Sequence, residues 1–558
     1  MDFQEKIKEL LAQHVRGDIA LEIPPDPCFG HFAFPCFILA KEWKKNPAQI
    51  AQEIAQKLPK QDFIEKIAAT GPYVNFFIDK QAFITATLTK ILNEKEQYGS
   101  SRSGKGKKAL IEHTSINPNA SPHMGRARNA LIGDALVRLL RFEGYATDVH
   151  YFVNDVGKQI AMLVYGCKDS KKVTFEQLLN VYVGINNRAE SDKSVEEEVF
   201  ALLKSLENKD EAIVKRFRQI VNTCIDGQAA LLKRLGITYD SFDYESEFLW
   251  NGDTEKALAK LKESGRLFED GEGRLVLDLK EFNLVMKTPV LVLTRNDKTS
   301  LYPLRDIAYS LRKAKLASGR NIIVLGEDQK LYLQQLHAAL SLLDAKAPEP
   351  VHYSFVLLSE GKMSTRKGNL VLLSDFMQEA VSKAEKELLK REPELSWAAL
   401  KKKAEAIGFG ALKYSILKVS PEKNVTFDWS SALRFEGDTG PYLQYTYARL
   451  NSILAKNKTA INGKKAALLL REDKEAAVIR ILSQFPNSIA EASHQLRPHI
   501  IANYAYTLAQ AANELYHRHP VLKAENDIKD ARIVLLMCVN QVLKTALSLL
   551  GISVLERM

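Results

Sequence analysis

Residues 109–126 read ALIEHTSINPNASPHMGR, and this stretch decides the fold of the chain. Its first three residues are an apolar run that is typical of a buried strand, and a polar turn with two prolines follows. Beyond Gly125, apolar residues recur at helical spacing from Leu131 to Leu140. A strand, a tight turn and a helix N-terminus make an anion site, because free N–H groups and the helix dipole favour phosphate there. Gly125 would let a nucleotide approach the backbone closely.

The chain as a whole is long and basic. It has 558 residues, too many for one core, so we expect three or four domains. Its 78 Lys and Arg against 68 Asp and Glu give a net charge of +10, which suits a polyanionic partner and is equally typical of a solvated basic surface. The five cysteines are scattered without a C-x-x-C pair, which indicates reduced thiols rather than disulfides or a zinc site.

The N-terminus and the hydropathy pattern indicate a cytoplasmic protein without a membrane partner. The first residues are acidic and amphipathic, unlike a signal peptide. No uncharged apolar stretch approaches the roughly 18 residues of a membrane-spanning helix, so none is expected.

Strand and helix patterns predict a multidomain fold of α/β and all-α parts. The predicted regions are an N-terminal α+β domain at 1–98, a Rossmann-like parallel-sheet domain at 99–377 with a charged helical insertion at about 167–288, a connecting segment at 378–424 and a C-terminal helical bundle at 425–558. The strand candidates of the sheet domain are 109–115, 147–153, 290–294, 321–326 and 351–358. The Gly- and Ser-rich stretch 98–108 is typical of a flexible basic linker.

Two further motifs suit nucleotide binding. Residues 361–369 read GKMSTRKGN, in which three cations, two hydroxyls and two glycines can wrap a polyphosphate, although a solvated basic turn is equally typical. Gly326-Glu327-Asp328-Gln329 follows a predicted strand, where an acid commonly holds a ribose hydroxyl.

Two carboxylates suit a cationic ligand. Glu112 lies in an otherwise apolar strand and needs a partner, which a guanidinium would provide bidentately. Tyr302 and Asp306 are four residues apart and therefore lie on one helix face. An acid that stabilises the N-terminus of its own helix is the simpler interpretation of Asp306.

Taken together, these motifs resemble those of the class I aminoacyl-tRNA synthetases. His123-Met124-Gly125-Arg126 and Lys362-Met363-Ser364 are similar to the two signature motifs of that class, in the same order and strand context. More narrowly, the chain resembles the arginyl-tRNA synthetases over nearly its whole length. The other segments that carry this resemblance are Glu112-x-x-Ser115-x-Asn117, Gly133-Asp134, Asn154-Asp155-x-Gly157, 236–240, Glu245-Ser246, 302–306, 438–445 and 556–558.

The resemblance implies a role for each matching residue. The arginine pocket would hold Glu112, Ser115, Asn117, His123, Tyr302, Asp306 and Gln329. The ATP site would hold His123, Gly125, Arg126, Gly326, Asp328, Lys362, Met363 and Ser364. His123, Arg126, Lys362 and Lys367 would act on the phosphates during catalysis. Implied substrates are L-arginine, tRNA and ATP with Mg²⁺, without a tightly bound cofactor, a protein metal site or zinc.

The resemblance also implies two tRNA-binding regions and a monomer. The first domain resembles one that binds the tRNA elbow. Its stretch 71–79 alternates like a strand and could expose aromatic or amide groups such as Tyr73 and Asn75 to bases, although the pattern alone favours ordinary sheet core. The helical bundle resembles an anticodon-binding domain. Its candidates are Tyr442 and Tyr445, for which core packing is equally typical.

Arg126 departs from the family pattern, which usually has histidine there. It points to one alternative, a non-catalytic tRNA-binding paralogue. A second alternative is a class I synthetase for another amino acid, such as lysine or glutamate. The acids Glu112 and Asp306 argue against glutamate, and the stretch 438–445 argues for arginine.

Overall fold

The chain folds into two compact units. Unit 1 is made of Met1–Tyr98, Leu450–Phe485 and Thr507–Leu543, and unit 2 of Gly99–Arg449, Pro486–Tyr506 and Lys544–Met558. The computed structural model describes residues 3–17, 19–24, 26–167, 173–358, 372–457 and 467–558. The second signature motif, at 361–369, therefore lies outside the described residues.

The N-terminal part of unit 1 is an antiparallel sheet with helices, in the order β1-β3-β2. Its elements are α1 (Phe3–Ala12), β1 (Phe32–Pro35), α2 (Ala40–Trp43), α3 (Pro47–Lys57), β2 (Ile64–Thr70), β3 (Tyr73–Ile78) and α4 (Lys80–Glu94). The central strand β3 does not expose its amide group, because Asn75 is only 3% exposed. Tyr73 is half-buried, with its ring 5.2 Å from the exposed ring of Phe37 in an edge-on contact. The burial of Asn75 therefore fits the sheet-core interpretation of this strand and contradicts the alternative of an exposed amide.

Unit 2 contains a five-stranded parallel sheet with the strand order β11-β10-β4-β5-β6. The strands are β4 (Lys108–Glu112), β5 (Ala146–Val153), β6 (Ser241–Tyr244), β10 (Arg320–Gly326) and β11 (Glu349–Tyr353). Helix α5 (Met124–Phe142) connects β4 to β5 and packs against β4, β5 and β10. The order reverses between β4 and β10, so their carboxyl ends form the switch point where ligands bind in such sheets. The predicted Rossmann-like fold is confirmed.

Three strand predictions need correction. Residues 290–294 do not enter the parallel sheet, because β9 (Val290–Val292) pairs antiparallel with β8 (Leu275–Asp278). The stretch 351–358 contains two strands, since β12 (Val356–Leu358) leaves the sheet and pairs with β13 (Val425–Phe427). Strand β6 lies within the stretch expected to be an insertion and forms the edge of the parallel sheet.

Helices make up most of the rest of unit 2 up to β13. Those between β5 and β10 are α6 (Lys158–Gly166), α7 (Phe175–Ser191), α8 (Lys193–Glu207), α9 (Glu211–Arg234), α10 (Glu247–Trp250), α11 (Asp253–Glu263) and α12 (Tyr302–Leu316). Those after β10 are α13 (Lys330–Ser341), α14 (Leu373–Arg391) and α15 (Trp397–Leu417). A hairpin strand, β7 (Leu267–Glu269), completes a small sheet with β8 and β9.

The predicted linker before β4 is an ordered loop. The buried carboxylate of Glu143 accepts hydrogen bonds from the backbone N–H of Ser101 at 3.0 Å and from the Ser103 hydroxyl at 3.0 Å. A Cβ atom on Gly104 would lie 2.0 Å from the ring of Tyr145. The Gly and Ser residues therefore serve close packing rather than flexibility.

The C-terminal region is helical, as predicted. Its helices are α16 (Trp429–Ala432), α17 (Gly440–Ala455), α18 (Asp473–Gln495), α19 (His499–Arg518) and α20 (Asn526–Leu549). Helix α18 continues through Pro486, a residue that usually breaks a helix. One helical stretch of the described chain, Asp527–Leu549, is long and apolar enough to cross a membrane, and 78% of its apolar window is buried, as in a core helix.

Candidate active site

Glu112, the last residue of β4, lies at the switch point of the sheet. It is buried, and its Oε2 accepts a hydrogen bond from the ammonium of Lys313 on α12. Lys313 is completely buried, and its ammonium also lies 4.3 Å from the centre of the Tyr309 ring. The partner that we predicted for the buried carboxylate of Glu112 is therefore a lysine of the protein itself.

Asp306 lies about two turns before Lys313 on the same helix, and it is the second acid of the site. Its Oδ2 accepts a hydrogen bond from the Tyr332 hydroxyl of α13 at 2.8 Å. Burial raises the pKa of Asp306 to about 6, and nearby Glu112 acts in the same direction against the opposing effect of Lys313. The ring of Tyr302 lies 5.1 Å from that of Tyr332, and Tyr302 is 56% exposed. A carboxylate therefore lies behind a solvent-facing tyrosine.

A third acid supports the cluster from the adjacent strands. Asp243 on β6 accepts hydrogen bonds from the Tyr309 hydroxyl at 2.7 Å and the Ser241 hydroxyl at 2.7 Å, and the His150 Nδ1 lies 2.6 Å from it. Burial raises the pKa of Asp243, but these hydrogen bonds outweigh burial and lower it to about 2. Asp243 therefore stays ionised and holds Tyr309 against Lys313.

The turn after β4 is strained. Thr114 and Ser115 have φ angles of 84° and 41°, in the left-handed region that residues other than glycine rarely adopt. This backbone ends the strand at Glu112, three residues before the predicted end. Asn129 of α5 supports the turn, because its Oδ1 accepts the Thr114 N–H at 2.7 Å and its Nδ2 donates to the Val324 carbonyl of β10 at 2.9 Å.

His113 is packed into the protein rather than into the site. Burial lowers its pKa to about 3, and a Cβ atom on Gly133 would lie 2.2 Å from its Cγ. The Gly133-Asp134 segment is therefore a packing feature, with Gly133 making room for the imidazole.

The middle of the turn is held by glutamines from two helices. Asn117 is exposed, and its Nδ2 donates to Gln159 of α6 at 3.1 Å. The buried Gln228 of α9 donates to the carbonyls of Asn117 at 3.2 Å and Ala120 at 2.8 Å. Ser115 is half-buried in this turn.

The first signature motif begins α5. His123 precedes the helix in an extended conformation, and burial together with nearby Arg126 lowers its pKa to about 4. At neutral pH His123 is therefore a neutral hydrogen-bonding group, whereas Arg126 is exposed and carries a permanent charge. Gly125 is half-buried beside them in the first turn of the helix.

The residues next to the first motif hold residues on both sides of the second. The buried Arg128 donates to the carbonyls of Ser354 at 2.6 Å and Phe355 at 3.4 Å, ahead of β12. On the other side, Leu373 N–H donates to the Pro122 carbonyl at 2.7 Å. Arg128 and Pro122 thus draw residues on either side of the second motif towards the start of α5. Within that motif, the predicted residues Lys362, Met363, Ser364 and Lys367 lie outside the described part of the chain.

The carboxyl end of β10 carries the remaining nucleotide candidates. A Cβ atom on Gly326 would lie 2.3 Å from Oδ1 of Asp328, so a larger residue there would displace the exposed Asp328 side chain. Asp328 and Gln329 are exposed, and the Gln329 amide donates to Asp328 at 3.0 Å. Gln329 therefore lies at the same strand end as Gly326, and its amide is hydrogen-bonded to Asp328, one of the predicted ATP-binding residues.

Tyr442 and Tyr445 of α17 are half-buried. The ring of Tyr442 lies 5.9 Å from that of Tyr506, and the Tyr445 hydroxyl accepts a hydrogen bond from Arg449 at 2.9 Å. RNA contacts by Tyr442 and Tyr445 stay predictions.

Sequence reasoning missed Lys313, Tyr309 and Tyr332. A signal for the first two was present, because Tyr302, Asp306, Tyr309 and Lys313 follow one another at helical spacing and form a polar stripe on α12. Tyr332 carries no comparable signal, since only the tertiary fold brings α13 against α12.

Comparisons with known proteins match the whole chain. Three family models match in order: "Arginyl tRNA synthetase N terminal domain" over 1–78, "tRNA synthetases class I (R), catalytic domain" over 87–429 and "DALR anticodon binding domain" over 443–558. An arginine–tRNA ligase from Methanocella arvoryzae is 43% identical, over 94% of this chain and 92% of that protein. One from Methanocaldococcus jannaschii is 39% identical, over 99% and 98%.

A solved structure agrees with these sequence matches. The arginyl-tRNA synthetase of Thermus thermophilus superimposes with a TM-score of 0.86 at 27% identity, covering 100% of this chain and 99% of that one. The catalytic-domain model alone matches more than half of the chain, and the curated relatives are matched nearly end to end. The chain therefore belongs to the arginyl-tRNA synthetase family, the arginine–tRNA ligases of class I.

Proposed function

We propose that this chain attaches L-arginine to tRNA in two steps, through an arginyl-adenylate. In the first step the arginine carboxylate attacks the α-phosphorus of ATP, an O–P bond forms, and pyrophosphate leaves with Mg²⁺. In the second step the 2′-hydroxyl of the terminal tRNA adenosine attacks the arginyl carbonyl carbon, and AMP leaves. The observation that carries the proposal is the pair of acids at the switch point of the sheet, the buried Glu112 and the half-buried Asp306.

The guanidinium of arginine would lie against these acids. Its planar fork of N–H donors suits two carboxylates better than the point charge of a lysine ammonium does. Tyr302 would close the solvent side of the pocket, since it is exposed and its ring lies near Tyr332. Ser115 and Asn117, in the turn after β4, would bind the α-ammonium and carboxylate end, with His123 and Gln329 near it.

ATP would lie along the start of α5 and the end of β10. The first turn of α5 offers free N–H groups for phosphate at Gly125, while Gly326 and Asp328 suit the ribose. No side chain needs to act as a nucleophile, so catalysis is positioning plus cationic stabilisation. Arg126 would supply one permanent positive charge, and Lys362 and Lys367 of the second motif would supply the others. Met363 and Ser364 of the same motif would bind ATP beside them.

The remaining proposals concern partners and location. Tyr73 of the N-terminal domain would contact the tRNA elbow, and Tyr442 and Tyr445 the anticodon region. Asn75 would support the elbow surface from within the sheet rather than contact RNA, because it is buried. We propose a monomer that acts in the cytoplasm without a membrane partner.

Pyrophosphate exchange tests the function directly. We expect exchange with arginine in the presence of tRNA, and none with lysine. Glu112→Gln and Asp306→Asn should each raise the arginine KM at least ~30-fold, since removing one partner of a buried charge pair costs about 2–5 kcal/mol, while the ATP KM changes little. Glu247→Gln is the control, because the ion pair of Glu247 with Arg312, at 3.4 Å, lies on the protein surface.

Two outcomes would contradict the proposal. An equal rise of the arginine and ATP KM values in Asp306→Asn would exclude Asp306 from the arginine pocket. Absence of exchange with every amino acid would favour the non-catalytic tRNA-binding paralogue, the alternative that Arg126 suggests.

A further inference from the structure

The proposed arginine pocket already contains a cation. Lys313 is 0% exposed, donates to Glu112 Oε2 and packs its ammonium against the ring of Tyr309. A buried ammonium is costly unless it is paired and hydrogen-bonded, so Lys313 needs Glu112 as much as Glu112 needs Lys313. The Lys313 ammonium therefore lies in the pocket that is proposed to bind the positively charged guanidinium of arginine.

The charges around the pocket balance to a single negative charge. The titratable and charged groups that face it are Glu112 on β4, His150 on β5, Asp243 on β6, Glu245 after β6, Tyr302, Arg305, Asp306, Tyr309 and Lys313 on α12, and Tyr332 on α13. Asp148 lies 3.2 Å from His150 and is itself paired with Lys108 at 2.6 Å. Asp243 is paired with His150, and Glu245 forms an ion pair with Arg305 at 2.7 Å. Glu112, Asp306 and Lys313 therefore sum to one negative charge, which matches one guanidinium.

Without Lys313 the two acids would compete for a proton. Two carboxylates that share a buried site cannot both ionise easily, and one of them takes up a proton near neutral pH. Arginine would then have to displace that proton before it could bind both acids.

We infer that Lys313 is a positioning residue for arginine recognition: its ammonium fixes the Glu112 carboxylate through the hydrogen bond to Oε2 and leaves the two acids with one net negative charge for the guanidinium. The inference rests on the proposed function and adds a residue to it. Lys313 acts through Glu112 and is not placed in contact with the reacting atoms.

The pH profile of kcat/KM for arginine tests this role in Lys313→Met, which keeps the length of the side chain without its charge. We expect the acidic limb of the profile to move upward by about two pH units, because the acids lose their cation. Activity should be reduced ~10-fold or more at pH 7 and should recover at about pH 9 and above. The ATP KM should stay unchanged at every pH.

Lys315→Met is the matched control, since Lys315 is exposed two residues further along the same helix. Its profile should coincide with that of the wild type. A parallel loss at every pH in Lys313→Met would show that Lys313 only fills space, and it would overturn the inference.

If the single variant Lys313→Met does not fold, a comparison of Glu112→Gln with the double variant Glu112→Gln/Lys313→Met tests the inference instead. In Glu112→Gln the ammonium of Lys313 loses its counter-charge and should repel arginine. The double variant Glu112→Gln/Lys313→Met has no such unpaired ammonium, so its kcat/KM for arginine should exceed that of Glu112→Gln by ~10-fold. An equal or lower value for the double variant would overturn the inference. Wild-type enzyme without arginine-dependent exchange would instead contradict the proposed function itself.

Discussion

At the scale of single residues, Asp306 has a pKa that its surroundings bring close to physiological pH. Burial and the neighbouring Glu112 raise its pKa to about 6, although Lys313 and the hydrogen bond from Tyr332 oppose them. The acid is therefore mostly ionised above about pH 7 and mostly protonated below about pH 5. An arginine guanidinium needs the ionised form, because a protonated carboxyl offers less negative charge to pair with it.

Arginine binding should consequently weaken in acid. As pH falls through about 6, Asp306 takes up a proton, so the dissociation constant for arginine should rise about tenfold for each pH unit below that value. Binding at about pH 5.5 should release a proton, which calorimetry in buffers of different ionisation enthalpy detects. Asp306→Asn should bind more weakly and lose this pH dependence. A wild-type dissociation constant that stays flat as pH falls from neutral to about 5 would contradict the assignment.

At the scale of elements, helix α18 shows how the fold tolerates a proline that should have ended it. Pro486 has no N–H, so it cannot donate to the carbonyl of Leu482, four residues earlier. That carbonyl accepts a hydrogen bond from the buried Tyr98 hydroxyl at 2.9 Å. A tertiary contact therefore replaces the hydrogen bond that the helix lacks.

A double-mutant cycle tests this replacement. Tyr98→Phe should lower the free energy of unfolding by about 1–3 kcal/mol, because it leaves a buried carbonyl unsatisfied. In a Pro486→Ala background the same change should cost about 1 kcal/mol less, since the backbone amide of the introduced alanine restores the helical hydrogen bond. Denaturant unfolding of the four proteins gives the coupling energy. Strict additivity would show that the two groups do not share Leu482.

At the scale of the whole molecule, unit 1 joins segments that are several hundred residues apart in the sequence. Arg480 of α18 donates to the carbonyls of Pro24 at 3.1 Å and Gly30 at 3.2 Å, and Lys80 donates to the Arg471 carbonyl at 2.8 Å. The buried ion pair between Arg532 and Glu475, at 2.8 Å, lies within the same unit. The N-terminal sheet and part of the C-terminal helices therefore form one folding unit.

Arg480→Met should loosen the N-terminal segment that Arg480 holds. It keeps the aliphatic stem but leaves two carbonyls without their donor, which costs about 1–3 kcal/mol. Hydrogen exchange should become faster in residues 20–35, whereas exchange in the parallel sheet should not change. Arg518→Met is the control, because Arg518 is exposed and its ion pair with Glu514 spans 3.6 Å. Uniform acceleration throughout the chain would argue for global destabilisation instead.

Much of the secondary structure and the family of this protein could be predicted from its sequence, because helix and strand formation depend largely on residues that are near one another in the chain. Apolar periodicity indicated the parallel sheet and the C-terminal helices, and the order of the motifs indicated the family, which the comparisons confirm. The polar stripe on α12 was also visible in principle, since helical spacing alone puts Tyr302, Asp306 and Lys313 on one face.

Only the tertiary structure decided which groups meet. Strand β6 follows a helical stretch yet joins the parallel sheet, and β9 pairs with β8 outside it, because strand pairing depends on contacts distant in sequence. The partner of Glu112 lies 201 residues away on α12, and no local pattern encodes that distance. Burial then sets the chemistry, raising the pKa of Asp306 and requiring Lys313 beside Glu112. The sequence determined the kind of site, and the packing of α12 and α13 against the strand ends decided its charge.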